Sequence, residues 1–336
     1  MGTQQPGKKN FTTASFREYK QAGKRIVMCT AYDYMQAGIV EAAGVDTILV
    51  GDSVGMTTLG HDNTLAVTMD DMIRATTAVA KGAPNSYIIA DMPFMSYQPS
   101  HDMGMHNAAA LISQAGANAV KIEGASIEAL ALIESLVAAG VPVIGHLGLT
   151  PQSINALSGY STQAKEVDDI VALMLDAHAI MLAGVCAIVL ECVPAEVAEE
   201  MAQIHLLPII GIGSGKHCDG EVQVFHDILG LSGDFKPRHA KRFVEGAEIL
   251  QSALEEYVQS VRATTFPGDK QSVSIKSEIV EDATSSFVKM LVEDVDMQDQ
   301  ELEFLLEDAS EDYEDDLGDG SDDSRYFGTG SRAHLN

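Results

Sequence analysis

Short apolar runs alternate with longer stretches of helical periodicity along most of the chain. The apolar runs predict eight buried strands, at Ile26–Thr30, Thr47–Val50, Tyr87–Ala90, Ala119–Ile122, Val141–Ile144, Ala187–Leu190, Pro208–Ile212 and Val222–Phe225. Between them, Ala-rich stretches that often end in Gly predict helices, among them 36–44, 69–82, 126–140, 170–184 and 196–205. The chain therefore reads as a regular succession of strand and helix.

This alternation predicts parallel strands joined by right-handed helical crossovers. Eight strands within about 200 residues favour a closed barrel over an open sheet of five or six strands. No GxGxxG motif follows the first strand, so a dinucleotide-binding domain is not favoured. We expect an α/β protein with a (β/α)8 TIM-barrel fold.

The two ends of the chain add segments to this barrel. Residues 15–23 predict an N-terminal helix, and 238–261 predict a long amphipathic helix after the eighth strand. Beyond Pro267-Gly268 the sequence becomes polar and acidic, which is typical of disordered chain. We expect a catalytic barrel domain at 15–268. A mostly disordered acidic extension at 269–336 would follow, with a helix at 288–306.

The negative net charge argues against two classes of binding partner, nucleic acids and anionic membranes. The formal net charge is −28, and residues 267–336 alone carry −15 of it. Such a chain repels nucleic-acid phosphates and anionic membrane surfaces, so neither partner is expected. The four cysteines show no CxxC spacing, and residues 1–10 lack a signal-peptide apolar core. No apolar run is long enough for a membrane span, and we expect a cytoplasmic protein.

Chemically active side chains stand at the carboxyl ends of five predicted strands, in strand order Asp52 and Ser53, Asp91, Lys121 and Glu123, His146, and Glu191. Each has an ordinary structural explanation when it is taken alone: Asp52, for example, could cap a helix. Parallel barrels, however, place their chemistry at this end of the strands. Acids at three or four strand ends of one barrel therefore predict an active site.

Three of these acids, Asp52, Asp91 and Glu123, lie on adjacent predicted strands. Carboxylate oxygens are the ligands that Mg²⁺ prefers, and the ion usually keeps water or substrate oxygens as well. A metal held there could chelate an α-keto acid and stabilise the enolate formed when a proton leaves the neighbouring carbon. The pattern therefore predicts a divalent-metal site.

The other strand-end residues suggest roles around such a substrate. Lys121 could balance the charge of the substrate carboxylate, and Ser53 could donate a hydrogen bond to it. Glu191, on the far side of the barrel mouth, is the candidate general base. His146 is a further candidate, although a lone histidine in such a place is more often a core residue.

Several longer strings have a familiar order. They are Val50-Gly51-Asp52-Ser53-Val54-Gly55-Met56, Ala90-Asp91-Met92-Pro93-Phe94-Met95, Val120-Lys121-Ile122-Glu123-Gly124, Gly145-His146-Leu147-Gly148-Leu149-Thr150-Pro151-Gln152-Ser153, Leu190-Glu191-Cys192-Val193-Pro194 and Gly211-Ile212-Gly213. From about Ser15 to Gly268 the chain resembles the ketopantoate hydroxymethyltransferase family.

The resemblance implies a barrel of the phosphoenolpyruvate/pyruvate type and a homodecamer. It implies transfer of a hydroxymethyl group from 5,10-methylenetetrahydrofolate to 3-methyl-2-oxobutanoate, the first step of pantothenate biosynthesis. The implied residues are Asp52, Asp91 and Glu123 for Mg²⁺, Ser53 and Lys121 with Asp52 and Asp91 for the keto acid, and Glu191 as proton acceptor. The acidic extension after Asp269 is longer than the family leads us to expect.

Two other readings remain open from the residues. One is a carbon–carbon lyase of the same barrel superfamily, which would use the same enolate chemistry without folate. The other is a non-catalytic scaffold that acts through its acidic tail, with the barrel kept as a support. A requirement for methylenetetrahydrofolate separates the transferase from the lyase, and the intact set of strand-end acids speaks against the scaffold.

Overall fold

Eight parallel strands close into a barrel in the computed structural model, which describes residues 11–157, 159–233 and 236–294. The strands are β1 Ile26–Thr30, β2 Thr47–Val50, β3 Tyr87–Asp91, β4 Ala119–Glu123, β5 Val143–Gly148, β6 Ala187–Glu191, β7 Ile209–Ile212 and β8 Gly220–Gln223. They pair in chain order, and β8 pairs with β1. The predicted (β/α)8 fold is confirmed.

Helices precede the first strand, connect the strands and continue after the last one along the chain. They are α1 Thr13–Gln21, α2 Tyr34–Ala43, α3 Val54–Thr57, α4 Met69–Gly82, α5 His101–Ser113, α6 Ile127–Ala138, α7 Val167–Leu182, α8 Ala195–Ile204, α9 Phe225–Ile228, α10 Gly246–Arg262 and α11 Ser277–Asp294. Local capping fixes several of their ends. At α4, Thr68 and Asp71 form a reciprocal capping box, which satisfies backbone N–H groups of the first turn.

Barrel closure depends on close approach between the first and last strands. Ile26 of β1 lies opposite Gly220 of β8. A Cβ atom on Gly220 would come within 2.6 Å of the Ile26 carbonyl oxygen, so a side chain there would push the two strands apart. The glycine is therefore needed for the last pairing of the barrel.

Helix α1 packs against the amino ends of the strands. Phe16 is fully buried, and its ring lies 5.6 Å from that of Tyr87 at the start of β3. Lys20 makes an ion pair of 2.7 Å with Asp219 and also donates to the Ala202 carbonyl oxygen. Apolar and charged contacts together hold this helix at the end of the barrel opposite the strand-end acids.

Several boundaries differ from the predicted ones, and for three of them the structure shows how the chain departs from the prediction. Strand β5 runs on to Gly148, because every residue from Ile144 to that point pairs with β6. Strand β8 ends at Gln223, and Phe225 instead begins α9. The helix predicted from Arg238 begins only at Gly246, since the segment before it bonds to the end of α9: Phe243 N–H donates to Ile228 O at 2.8 Å.

The chain divides into two compact units, 1–256 and 257–336. In the second unit α11 begins at Ser277, well before the helix predicted at 288–306, of which residues 295–306 lie outside the described part. The predicted domain limits and the disorder of the acidic extension stay predictions. Residues 1–10, which are predicted to lack a signal-peptide apolar core, lie outside the described part. Across the described residues, no helix combines the length and apolar character needed to span a membrane.

Candidate active site

Five of the seven predicted site residues are buried together at the carboxyl ends of β2 to β5, namely Asp52, Asp91, Lys121, Glu123 and His146. Strand register brings them together: Asp91 lies opposite Lys121, and Glu123 lies opposite His146. Because their strands are fully buried and pair in parallel, side chains at the strand ends are forced into one small volume. The sequence prediction of a cluster at this end is therefore matched by their placement.

Lys121 lies at the centre of this cluster. Its Nζ atom is 3.0 Å from Asp91 Oδ1, 3.8 Å from Glu123 Oε1 and 3.0 Å from His146 Nδ1. Burial opposes a charge on the amine, but Asp91, Glu123 and Asp52 outweigh it and raise the pKa of Lys121. Lys121 is therefore a fixed positive charge at the floor of the site.

Asp52 does not act as the helix cap that its position alone suggested. Its Oδ2 atom accepts a hydrogen bond of 2.9 Å from Gln152 Nε2, and its backbone N–H donates to Asp91 Oδ2 at 3.0 Å. The residue at the N-terminal cap of α3 is Ser53. Asp52 therefore belongs to the acid cluster.

His146 connects the buried cluster to Glu191. The ring Nδ1 lies 3.1 Å from Glu123 Oε1, and Nε2 lies 3.3 Å from Glu191 Oε2. Burial and Lys121 both oppose a charge on the ring, yet the two glutamates outweigh them and raise the pKa of His146 to about 9. The Glu191 side chain is partly exposed, so it is the acid of this group that a substrate can reach from solvent.

Ser53 lies one residue beyond Asp52 and is partly exposed. Its hydroxyl oxygen is 2.8 Å from the Tyr32 hydroxyl. The structure thus places all seven predicted residues at one end of the barrel, with Ser53 and Glu191 as its more accessible members.

The electrostatics of the cluster favour a cation. Burial, together with repulsion from Asp91 and Glu123, raises the pKa of Asp52 well above its usual value. Four acids, including Glu191, outnumber the two positive groups Lys121 and His146, and oxygen donors fit Mg²⁺. Within the described residues, however, no three His, Cys, Asp or Glu side chains are already close enough to form a metal site. The donor chemistry fits the ion, and in this structure the carboxylates contact Lys121, His146 and Gln152.

Sequence reasoning gave no role to Gln152 and Tyr97, although both contact the acids. Gln152 follows β5 in a single turn of 3₁₀ helix, Pro151–Ser153. The Tyr97 hydroxyl accepts a hydrogen bond of 3.2 Å from the Glu123 backbone N–H. Neither residue lies in a strand or a long helix, so periodicity gives no signal for them. The one available hint is that Gln152 comes just after a strand that carries a site residue.

The glycine run Gly211–Gly215 after β7 is explained by close packing. A Cβ atom on Gly215 would lie 2.5 Å from the Ala195 side chain at the start of α8. Between the glycines, the Ser214 hydroxyl donates to the Leu190 carbonyl oxygen at 2.8 Å. The run therefore serves to bring β7 against β6 and α8.

An eight-stranded barrel with buried acids at its carboxyl end defines the class of protein: a TIM-barrel enzyme with an acidic site. Solved structures share the fold. Phosphoenolpyruvate phosphomutase from Streptomyces platensis subsp. rosaceus has a TM-score of 0.54 at 15% identity, covering 83% of this chain and 97% of its own. Phosphonopyruvate hydrolase, solved with oxalate and Mg²⁺, has a TM-score of 0.52 at 13% identity, covering 84% and 98%. At these identities the likeness shows the fold alone.

The chain belongs to the ketopantoate hydroxymethyltransferase family, whose model matches residues 10–269. A relative from Carboxydothermus hydrogenoformans is 46% identical over 270 residues, which is 80% of this chain and 98% of the relative. One from Acetivibrio thermocellus is 44% identical over 272 residues, or 81% and 96%. Both relatives are named 3-methyl-2-oxobutanoate hydroxymethyltransferase. The chain is accordingly a hydroxymethyltransferase.

Proposed function

We propose that this protein transfers a hydroxymethyl group from 5,10-methylenetetrahydrofolate to 3-methyl-2-oxobutanoate, giving ketopantoate for pantothenate synthesis. The observation that carries the proposal is the buried group of Asp52, Asp91 and Glu123 around Lys121, with Glu191 beside it at the mouth. Family membership supports the same reaction. Removal of a proton from an α-keto acid needs both parts of this site. The buried group must stabilise the negative charge that develops, and Glu191 must take the proton.

The three buried carboxylates Asp52, Asp91 and Glu123 would hold Mg²⁺. When bound, the ion would hold the carboxylate and keto oxygens of the substrate and stabilise negative charge on the keto oxygen. The surplus of negative charge in the cluster supports this assignment. The family resemblance implies the same three residues as ligands of the metal.

Lys121 and Ser53 would orient the keto acid. The charged amine of Lys121, which lies 3.0 Å from Asp91, would attract the substrate carboxylate. The Ser53 hydroxyl, partly exposed beside Asp52, can donate a hydrogen bond to the same group. A two-point contact of this kind fixes the C3–H bond relative to Glu191.

Glu191 would take the proton from C3. Its contact with His146 Nε2 holds the carboxylate in place, and its partial exposure leaves room for substrate. C3 then forms a bond to the methylene carbon of the folate, both bonds from that carbon to folate nitrogens break, and water supplies the hydroxyl. The two folate nitrogens gain two protons, one that began on C3 and one from the water.

One assay tests the proposal directly. Full-length protein is incubated with 3-methyl-2-oxobutanoate, with and without methylenetetrahydrofolate and Mg²⁺, and ketopantoate is measured. We expect product only when both are present. Cleavage of isocitrate or methylisocitrate without folate would instead establish the lyase. The absence of both reactions would overturn an enzymatic role for the site.

Deuterium exchange at C3 tests the individual residues without folate. We expect Mg²⁺-dependent exchange in the wild type and its loss in Glu191→Gln and Asp91→Ala. In Glu191→Gln, which removes the base, the exchange rate should fall by roughly 10²- to 10⁴-fold. Glu134, on α6, supplies a matched control: Glu134→Gln should exchange at the wild-type rate. Undiminished exchange in both site variants would refute the assignment.

The assembly is proposed from the family as a homo-oligomer, a decamer. Exposed apolar side chains on the first part of α10, Ile249, Leu250 and Leu254, support a buried subunit contact. Light scattering of the full chain gives the subunit number, and a variant lacking residues 270–336 shows whether the acidic extension takes part. The cytoplasmic location stays a prediction.

A further inference from the structure

Gln152 links two of the three proposed metal-binding acids. Its side-chain Nε2 donates to Asp52 Oδ2 at 2.9 Å, and its backbone N–H donates to Glu123 Oε2 at 3.1 Å. The residue is buried, so these bonds do not compete freely with water. A single residue after β5 thus contacts one acid just beyond β2 and another at the end of β4.

The orientation of the Gln152 amide is determined by its partners. The second Nε2 hydrogen goes to the Met92 carbonyl oxygen at 2.9 Å, and a carbonyl and a carboxylate can only accept. The opposite atom, Oε1, accepts from Gln98 Nε2 at 3.3 Å and lies 3.3 Å from the Tyr97 hydroxyl, whose one hydrogen is shared between Oε1 and the Glu123 carbonyl oxygen. All four hydrogen-bonding positions of the amide are used, so its rotation is blocked.

Tyr97 extends this support to the backbone of β4. Besides contacting Gln152, its hydroxyl accepts from the Glu123 N–H at 3.2 Å. Side chain and backbone of Glu123 are therefore both held by the same small group of residues. Nothing in this group carries a charge, and so it orients the acids without neutralising them.

We propose that Gln152 is a positioning residue, which holds Asp52 and Glu123 in the arrangement that binds the divalent cation. The inference rests on the proposed function, because it concerns the same metal site. Groups that hydrogen-bond to metal ligands commonly change metal affinity by 10- to 100-fold when they are removed. Loss of the Gln152 amide leaves the Asp52 carboxylate free to rotate and lets the acid pair separate.

The test is Mn²⁺ binding to the full-length protein, with Mn²⁺ alone as the probe of the Mg²⁺ site. Gln152→Met keeps the length of the side chain and the backbone N–H but removes every side-chain hydrogen bond. Gln114→Met, at the exposed end of α5, is the matched control. Binding measured in Asp91→Asn gives the background of the acidic extension and is subtracted.

We expect Gln152→Met to bind Mn²⁺ at least tenfold more weakly than the wild type, with Gln114→Met unchanged. A Gln152→Met protein that melts at a lower temperature but keeps wild-type Mn²⁺ affinity has lost only structure, and it overturns the inference. A wild type without site-specific Mn²⁺ binding overturns the metal assignment itself, and the inference with it.

A second variant decides the matter if Gln152→Met does not fold. Tyr97→Phe keeps the amide and removes the hydroxyl that supports both Gln152 and Glu123. We expect Mn²⁺ affinity to fall severalfold, with the keto acid KM rising more than kcat falls. Unchanged Mn²⁺ affinity in folded Tyr97→Phe refutes the positioning role.

Discussion

The Tyr32 hydroxyl lies 2.8 Å from the Ser53 hydroxyl oxygen, and this contact joins the loops after β1 and β2. Burial raises the pKa of Tyr32, so the phenol stays protonated and can donate. Its ring stacks on His226 at 5.6 Å, which fixes the direction of the hydroxyl. The orientation of Ser53, the proposed substrate contact, is therefore set by Tyr32.

Replacing Tyr32 by Phe should loosen Ser53 while the ring stacking stays. We expect the KM for the keto acid to rise severalfold with a smaller change in kcat, and the free energy of unfolding to fall by about 1 kcal/mol. Steady-state kinetics and urea unfolding measure the two effects. Tyr19→Phe removes a comparable hydroxyl, one that donates to Asp46 at the other end of the barrel, and should leave KM unchanged. Equal KM values in both variants would contradict this role.

Lys121 is the one positive charge in contact with both Asp91 and Glu123 among the described lysines and arginines. Lys121→Met leaves buried acids without their partner, which should cost about 3–5 kcal/mol of unfolding free energy. Added Mg²⁺ should recover more stability in this variant than in the wild type, because it replaces part of the missing charge. Urea unfolding with and without Mg²⁺ measures this.

The control for Lys121→Met is Lys20→Met, which breaks the ion pair with Asp219 at the opposite end of the barrel. Mg²⁺ should stabilise that variant no more than the wild type. An equal Mg²⁺ response in both lysine variants would show that the ion binds elsewhere.

Gly148, at the end of β5, packs directly against the backbone of Glu191, the proposed base. It has a φ of 86°, and a Cβ atom there would overlap the Glu191 carbonyl oxygen. Gly148→Ala should therefore displace Glu191 and lower C3 exchange at least tenfold, in addition to about 1–2 kcal/mol for the left-handed backbone. Gly140 has the same φ of 86° with open space around it. Gly140→Ala should lose similar stability but keep full exchange; a parallel loss of exchange would refute the steric argument.

His205, which directly follows α8, should make the free energy of unfolding depend on pH. Burial, with nearby His178 and Lys20, lowers the pKa of His205, so its ring stays neutral in the folded protein. The unfolded chain takes up a proton below about pH 6.5 while the folded one does not, and stability is then lost as pH falls. One such proton changes the unfolding free energy by at most about 1.4 kcal/mol per pH unit.

His205→Gln should therefore reduce the loss of stability between pH 7 and pH 5. Urea unfolding at several pH values measures the slope for the wild type and the variant. His101→Gln removes an exposed ring and serves as the control, with a slope like that of the wild type. A wild-type slope in His205→Gln would show that other groups govern the acid response.

Much of the fold could be predicted because its signals are local. Apolar runs fixed the positions of β1 and β2 to the residue, and the pattern at 69–82 matched α4. The predicted start of α10 at Arg238 was wrong, because the residues before Gly246 have helical periodicity but bond to the end of α9. Periodicity records which residues favour a helix, and backbone partners decide where it begins.

The sequence by itself determined the barrel and the residue types at its strand ends, because alternation of strand and helix forces parallel strands whose carboxyl ends meet. Asp91, Glu123 and Glu191 could be placed at one end of the barrel on that ground alone. Only the tertiary structure decided which groups hold them. Gln152 and Asp52 are 100 residues apart in the chain, and their bond forms because two loops meet above the barrel. Loops have no period from which such a contact can be read.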